Sequence, residues 1–202
     1  MNDIQSDYLK SFLLYLQNTK RYSLHTITSY ESDLKQFFAY LMHQYSISDI
    51  NEIFRKHIIS WVIKLSNNSI SNRSINRKVT SLKSFWKFLL IEGVTKANPT
   101  NKIKALKTPK RLPEFLKEKE LNNLRLKMLD TSSEIFDENL DSSYFERIRN
   151  YSIVELLYQS GIRRSELINL EFKDLNLSQG SIKVLGKGKK ERIIPINNQL
   201  SE

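Results

Sequence analysis

A chain of 202 residues with 40% hydrophobic residues, ten Phe and nine Tyr holds enough apolar material for one large core or two small ones. It has no Cys, which removes disulfides, thiolate nucleophiles and Cys-based zinc sites and suits a reducing cytoplasm. No apolar run approaches the ~20 residues of a membrane span, and the N-terminus shows no signal-peptide pattern.

The net charge of +10 is unevenly placed. Residues 1–113 carry 18 Lys and Arg against 7 Asp and Glu, and the window 71–113 has eleven basic residues and one acid, Glu92. That bias favours a polyanionic partner, nucleic acid first, over a solvated surface of mixed sign. Five Gly and four Pro over the whole chain point to long helices.

The first helix carries Tyr8, Phe12, Tyr15 and Leu16 at helical spacing. The second opens after Ser23, with Ser23 or Thr26 as its cap, and presents Ile27, Tyr30, Leu34, Phe37, Phe38 and Leu41. A third runs from about Asn51 to Leu65 with Ile53, Ile58, Trp61 and Val62 apolar, and Asn67-Asn68-Ser69 turns the chain. The fourth, about Ser71 to Leu90, repeats Ile75, Val79, Leu82, Trp86 and Leu89 at intervals of 4, 3, 4 and 3, which places them on one stripe. Arg73, Arg77 and Lys87 fall nearly opposite with Lys83 beside them, so this helix is expected to pack on one face and meet a phosphate backbone with the other.

Glu92-Gly93 stops the helix. Residues 95–113 hold three prolines and Lys96, Lys102, Lys104, Lys107, Lys110 and Arg111, which reads as an extended basic linker and a domain boundary; Lys107 and Lys110 join the candidate DNA contacts. The expected division is therefore 1–94, a four-helix DNA-binding domain, then the linker 95–113, then 114–202. Lys117 to Leu129 reads as helix, and the acidic stretch 130–146 as a surface loop without chemistry. Arg149 to Gln159 returns to helix with Ile153, Leu156, Leu157 and Tyr158 in a core, and Gly161 ends it. A short helix over 165–170 follows. Ile182, Val184 and Leu185, a Gly186-Lys187-Gly188 turn, and Ile193, Ile194 and Ile196 form a β-hairpin with Lys187, Lys189, Lys190 and Arg192 around its tip, of which Lys189 and Arg192 join the candidate DNA contacts. The fold class is mainly α with a small β-hairpin or sheet.

Four segments resemble the tyrosine recombinase, or phage-type integrase, family, in its XerC/XerD-like branch. Arg21-Tyr22-Ser23-Leu24-His25-Thr26, continuing to Tyr30, Asp33, Leu34, Phe37 and Leu41, resembles the opening of the family's core-binding domain. Ser74-Ile75-Asn76-Arg77 with Leu82, Ser84 and Phe85 resembles that domain's last helix, and Asn98-Pro99 with Leu112-Pro113 its linker. Arg149-Asn150, Leu156-Leu157-Tyr158 and Ser160-Gly161-Ile162-Arg163-Arg164-Ser165-Glu166-Leu167 resemble the first catalytic block.

The resemblance implies an α-helical core-binding domain followed by the first part of a mixed α/β catalytic domain. It implies double-stranded DNA as substrate, a tetrameric synaptic complex, and strand exchange through a 3′-phosphotyrosyl bond with no metal, no cofactor and no small-molecule substrate. It assigns Arg163 to the reacting phosphate and Lys187 to protonation of the leaving 5′ oxygen; the plain alternative for Lys187 is a solvated hairpin lysine. Glu166 either orients Arg163 or caps the short helix, and Asp174 is structural. The family's His-x-x-Arg block and Tyr nucleophile have no match: His25, His43 and His57 are followed at +3 by Thr28, Ser46 and Ser60, and all nine Tyr precede Arg163. The chain therefore reads as the N-terminal portion of such an enzyme, expected to bind DNA rather than cleave it alone. The alternative is a non-catalytic DNA-binding module that occupies recombination sites or modulates a full-length relative.

Overall fold

The computed structural model describes residues 3–110, 112, 114–129, 140–186 and 190–197. The chain divides into two compact units, Met1–Arg111 and Leu112–Glu202.

The first unit is built from α1 (Asp3–Asn18), α2 (Leu24–Tyr45), α3 (Arg55–Asn67) and α4 (Asn72–Ile91). Of the two cap candidates for α2, Ser23 does the capping: its hydroxyl accepts the Thr26 N–H at 3.4 Å. Ser71 caps α4 in the same way through the Ser74 N–H. Gly93, at φ +69°, turns the chain out of α4, a conformation that costs glycine little. The apolar stripes meet in one core whose centre is Phe12, Phe37, Phe38, Trp61, Phe85 and Trp86, all buried. Phe37 lies 5.0 Å from Trp61 and Phe85 5.4 Å from Trp86, both edge-on, an arrangement worth about 0.5–1.5 kcal/mol per pair beyond area burial.

The expected helix from Asn51 to Leu65 is interrupted. Asp49 caps a single 3-10 turn, Ile50–Glu52, and α3 restarts at Arg55. The break lets Ile53 enter the core, and the Phe54 N–H that it exposes is taken up by Nδ1 of His57 at 3.1 Å. Burial lowers the His57 pKa from its ordinary value, in keeping with a neutral ring accepting that bond.

The segment after α4 packs against it. Val94, Ile103 and Leu106 lie against the helical core, and the compact unit continues to Arg111. The Asn76 side-chain amide donates to the Leu106 carbonyl at 2.9 Å and accepts the Leu106 N–H at 2.8 Å. Asn72 donates to the Lys107 carbonyl and Lys83 to the Ile103 carbonyl. At ~100° per residue, Asn72, Asn76 and Lys83 share one strip of α4 beside its apolar stripe. They supply the partners that an irregular backbone needs near a core, and residues 103–107 form a strap along the helix.

The second unit contains α5 (Glu118–Leu129), α6 (Leu140–Ser160), α7 (Arg164–Ile168) and an antiparallel sheet of β1 (Leu175–Asn176), β2 (Ser181–Leu185) and β3 (Glu191–Pro195) in the order β1-β2-β3. Ile182 pairs with Ile194 and Val184 with Arg192. Ile162, Ile182, Val184 and Ile194 form the core, with Leu156, Leu157, Leu167 and Leu170 packed on it. The two-residue β1 is too short to leave an alternation in the sequence. Helix α6 begins at Leu140, so 140–146 is helical rather than loop; residues 130–139 of the acidic stretch lie outside the described set.

Two expected core positions of α6 face out. Tyr158 is 51% exposed, with the Arg125 guanidinium 5.9 Å from its ring centre, and Ile153 is also exposed. The inward position between them is a carboxylate. Glu155, 2% exposed, accepts Arg125 Nη2 at 2.8 Å, its Nε as well, and Gln159 Nε2 at 2.6 Å. The Arg125 bonds hold Glu155 below the usual carboxylate range. Leu185 and Ile193 point outward because strand alternation gives the inner face to Ile182, Val184 and Ile194.

Candidate phosphate-binding sites

In the first unit the four cations expected to line the outer face of α4 divide into two kinds. Arg73 and Lys87 are exposed, seven residues either side of exposed Thr80, and form its outer ridge. Arg77 turns instead to Asp33 on α2, donating through Nη2 at 3.0 Å to Oδ1 and through Nη1 to Oδ2; its side chain remains half exposed. Asp33 is 1% exposed and also receives Lys78 Nζ at 3.1 Å and the Ser81 hydroxyl at 2.7 Å. Lys83 is tied to the strap through the Ile103 carbonyl. Lys107 and Lys110 are exposed on or just beyond the strap. Asp33 flanks the apolar stripe of α2 as Glu31 does on the other edge, so the sequence alone does not mark it for burial; packing of α2 on α4 does.

In the second unit Gly161, at φ +60°, ends α6, Ile162 anchors the turn in the core, and Arg163 occupies the cap position of α7. The cap residue brings no side-chain acceptor. Glu166 reaches back and accepts the Arg163 N–H on Oε2 at 2.9 Å, one half of a capping box. The same carboxylate accepts Arg163 Nη1 on Oε1 at 2.8 Å, so capping and orientation of Arg163 are one arrangement. It then receives Arg192 from β3, Nη1 on Oε1 at 2.8 Å and Nη2 on Oε2 at 2.7 Å.

The Glu166 side chain is 4% exposed, and bonds from Arg192 first and Arg163 next hold its carboxyl far below the usual range. Arg163 remains 64% exposed. Arg192, expected at the hairpin tip facing DNA, is thus turned inward. The signal was its register: it lies two residues from Ile194 and opposite Val184, on the core face of the sheet. Lys187 and Lys189 lie outside the described residues.

Glu166 and Arg163 also wall a cleft of about 690 Å³ with Asn169, Lys173, Lys183 and Gly186. Its lysines are paired at the rim, Lys173 with Glu171 at 2.6 Å and Lys183 with Glu191 at 2.7 Å. Arg164, first residue of α7, is exposed beside Arg163, and Asp174 accepts the Glu171 N–H at 3.0 Å.

The chain is thus a helical unit followed by a smaller α/β unit that presents an arginine at a glycine turn, an order of parts shared with the integrase class. The family model described as "Phage integrase, N-terminal SAM-like domain" matches residues 9–93, and that described as "Phage integrase family" matches 115–202. The chain belongs to the tyrosine recombinase family. A tyrosine recombinase of Pseudothermotoga lettingae is 34% identical over 197 residues, covering 96% of this chain and 63% of the relative. The tyrosine recombinase XerC of Staphylococcus carnosus is 34% identical over 202 residues, covering all of this chain and 62% of the relative. The chain thus spans about three fifths of the length of the curated relatives it matches. Among solved structures, the Tn1549 transposon integrase in complex with transposon right end DNA superposes with a TM-score of 0.69 at 15% identity, over 96% of this chain and 62% of that one. A lambda integrase tetramer bound to a Holliday junction gives 0.67 at 18% identity, over 94% and 50%. At those identities the likeness is one of fold. Among the described residues no helix is long and apolar enough to cross a membrane.

Proposed function

We propose that residues 1–202 are the DNA-holding part and the first portion of the active site of a site-specific recombinase. In this reading the first unit sets Arg73, Lys87, Lys107 and Lys110 against the phosphate backbone of a duplex, with half-exposed Arg77 adding its charge. The second sets Arg163 on the nonbridging oxygens of the reacting phosphate, where a planar, permanently charged fork offsets the charge that builds during attack on phosphorus. Lys187, between β2 and β3, protonates the leaving 5′ oxygen. The whole protein exchanges strands through a 3′-phosphotyrosyl intermediate in a tetramer of itself or with a related recombinase, for chromosome dimer resolution or DNA integration in the cytoplasm. Residues 164–202 contain no Tyr, so the nucleophile is not among the groups assigned to this chain.

The observation that carries the reading is Arg163 held by Glu166 at the Gly161 turn, with most of its guanidinium exposed. The test is fluorescence anisotropy of a labelled duplex titrated with the chain at rising KCl. With four or more phosphate contacts, affinity should fall by about 10²-fold or more between ~50 and ~200 mM salt, and Arg163→Ala should lower the slope of log K against log salt by about 0.9. Affinity that ignores salt overturns the reading.

A further inference from the structure

Arg192 has no part in the proposed chemistry, yet it makes the closest approach to the residue that holds Arg163. A carboxylate offers about four lone-pair sites, and in Glu166 four donors fill them: the Arg163 N–H, Arg163 Nη1, Arg192 Nη1 and Arg192 Nη2. The two guanidiniums are used unequally. Arg192 takes the fork-on-fork position, one nitrogen to each oxygen, and its side chain is 37% exposed. Arg163 is left a single side-chain bond and is 64% exposed. Bare backbone at residue 186 leaves room for the fork, since a Cβ on Gly186 would lie 3.2 Å from Arg192 Nη1.

We propose that Arg192 is a positioning residue: by occupying both oxygens of Glu166 it denies Arg163 the bidentate position and keeps the rest of that guanidinium turned outward to a phosphate. The proposal rests on the reading that Arg163 meets DNA. Without Arg192, two lone-pair sites on a buried carboxylate stand empty beside Arg163, whose remaining N–H groups are the nearest cationic donors on the same turn. Arg163 then closes onto Glu166 as a fork and withdraws. Charge is counted in the same direction. With both arginines present the trio carries a net positive charge; with Arg192 gone, Glu166 and Arg163 cancel.

The test is the salt titration on residues 1–202 with a duplex that the chain itself selects from a random pool. Arg163→Ala fixes the size of the Arg163 contribution, a slope loss of about 0.9. Arg192→Met should show the same loss, although Arg163 is intact. The double variant Glu166→Gln with Arg192→Met should regain the wild-type slope, because a neutral amide no longer captures Arg163; a residue that only stabilised the fold would not be rescued by a second cut in the same network. Circular dichroism melts accompany each variant, and if Arg192→Met does not fold, Arg192→Lys should give a smaller loss restored by the same Glu166→Gln change. An unchanged slope in Arg192→Met overturns the proposal. So does a loss that Glu166→Gln fails to restore, which would mean that Arg192 itself meets a phosphate. If Arg163→Ala leaves the slope unchanged, the underlying DNA reading of Arg163 fails, and that result is distinguishable from both.

Discussion

Replacing Asp33 by Ala removes the one acid in the centre of the first unit. Its carboxylate is 1% exposed and is met by Arg77, Lys78 and Ser81. Removing one partner of a buried ion pair costs about 3–5 kcal/mol, most of it from the charge left behind. Here the charge left behind is chiefly Lys78, whose side chain is 13% exposed and which keeps only Gln36 at 2.7 Å; half-exposed Arg77 regains water. Discounting the Arg77 share for that exposure gives a loss of about 2–4 kcal/mol. At about 4 °C per kcal/mol for a unit of this size, the melting point should fall by roughly 8–16 °C. The assay has a built-in local probe: both tryptophans, Trp61 and Trp86, are buried in this unit, so their fluorescence follows its unfolding and not that of the second unit. Arg77→Ala leaves Lys78 and Ser81 on the carboxylate and should cost about 1 kcal/mol. Asp33→Ala melting within about 2 °C of wild type, on the same conversion, would refute the claim that this carboxylate anchors α4 to α2.

The second unit should be acid-sensitive: Glu155 and Glu166 both titrate below their ordinary values, so their stabilisation is complete above the unfolded carboxylate pKa of about 4.3 and lost as pH falls below it; far-UV melts from pH 7 to 3 should show the decline begin there. Gly186→Ala places a methyl 3.2 Å from both Arg192 Nη1 and the Lys190 carbonyl, and the resulting crowding should destabilise the hairpin by about 1–2 kcal/mol in denaturant titrations. Asn76→Ala removes both bonds to Leu106 and should cost about 1–2 kcal/mol in the tryptophan-monitored transition, with faster tryptic cleavage around Lys104 and Lys107.

The helices of the first unit were legible because each carries an apolar stripe at helical spacing, and α2 and α4 also carry a serine cap. Where that condition fails, so does the reading. Helix α6 hides its inner face behind Glu155, and its first turns expose Tyr144, Phe145 and Ile148, so no stripe marks its start. The strap is held by side chains bonding to backbone, and backbone carbonyls have no letter in a sequence. Within the candidate sites, Arg163 was marked by the family resemblance, and the three-residue spacing to Glu166 allowed either a cap or an orienting contact, which the structure combines. The capture of Arg77 by Asp33 and of Arg192 by Glu166 spans 44 and 26 residues of chain, and only the packed elements bring those partners together.

The strap bears on how the proposed nucleic-acid surface is made ready. Basic tails that order only on contact lose affinity to that ordering and show a large negative heat-capacity change. Here Asn72 and Asn76 have already fixed the backbone that carries Lys107 against the ridge of Arg73 and Lys87. If the first unit meets DNA as proposed, association should be a docking of rigid charge, with a small heat-capacity change by calorimetry and an on-rate governed by long-range attraction rather than by folding.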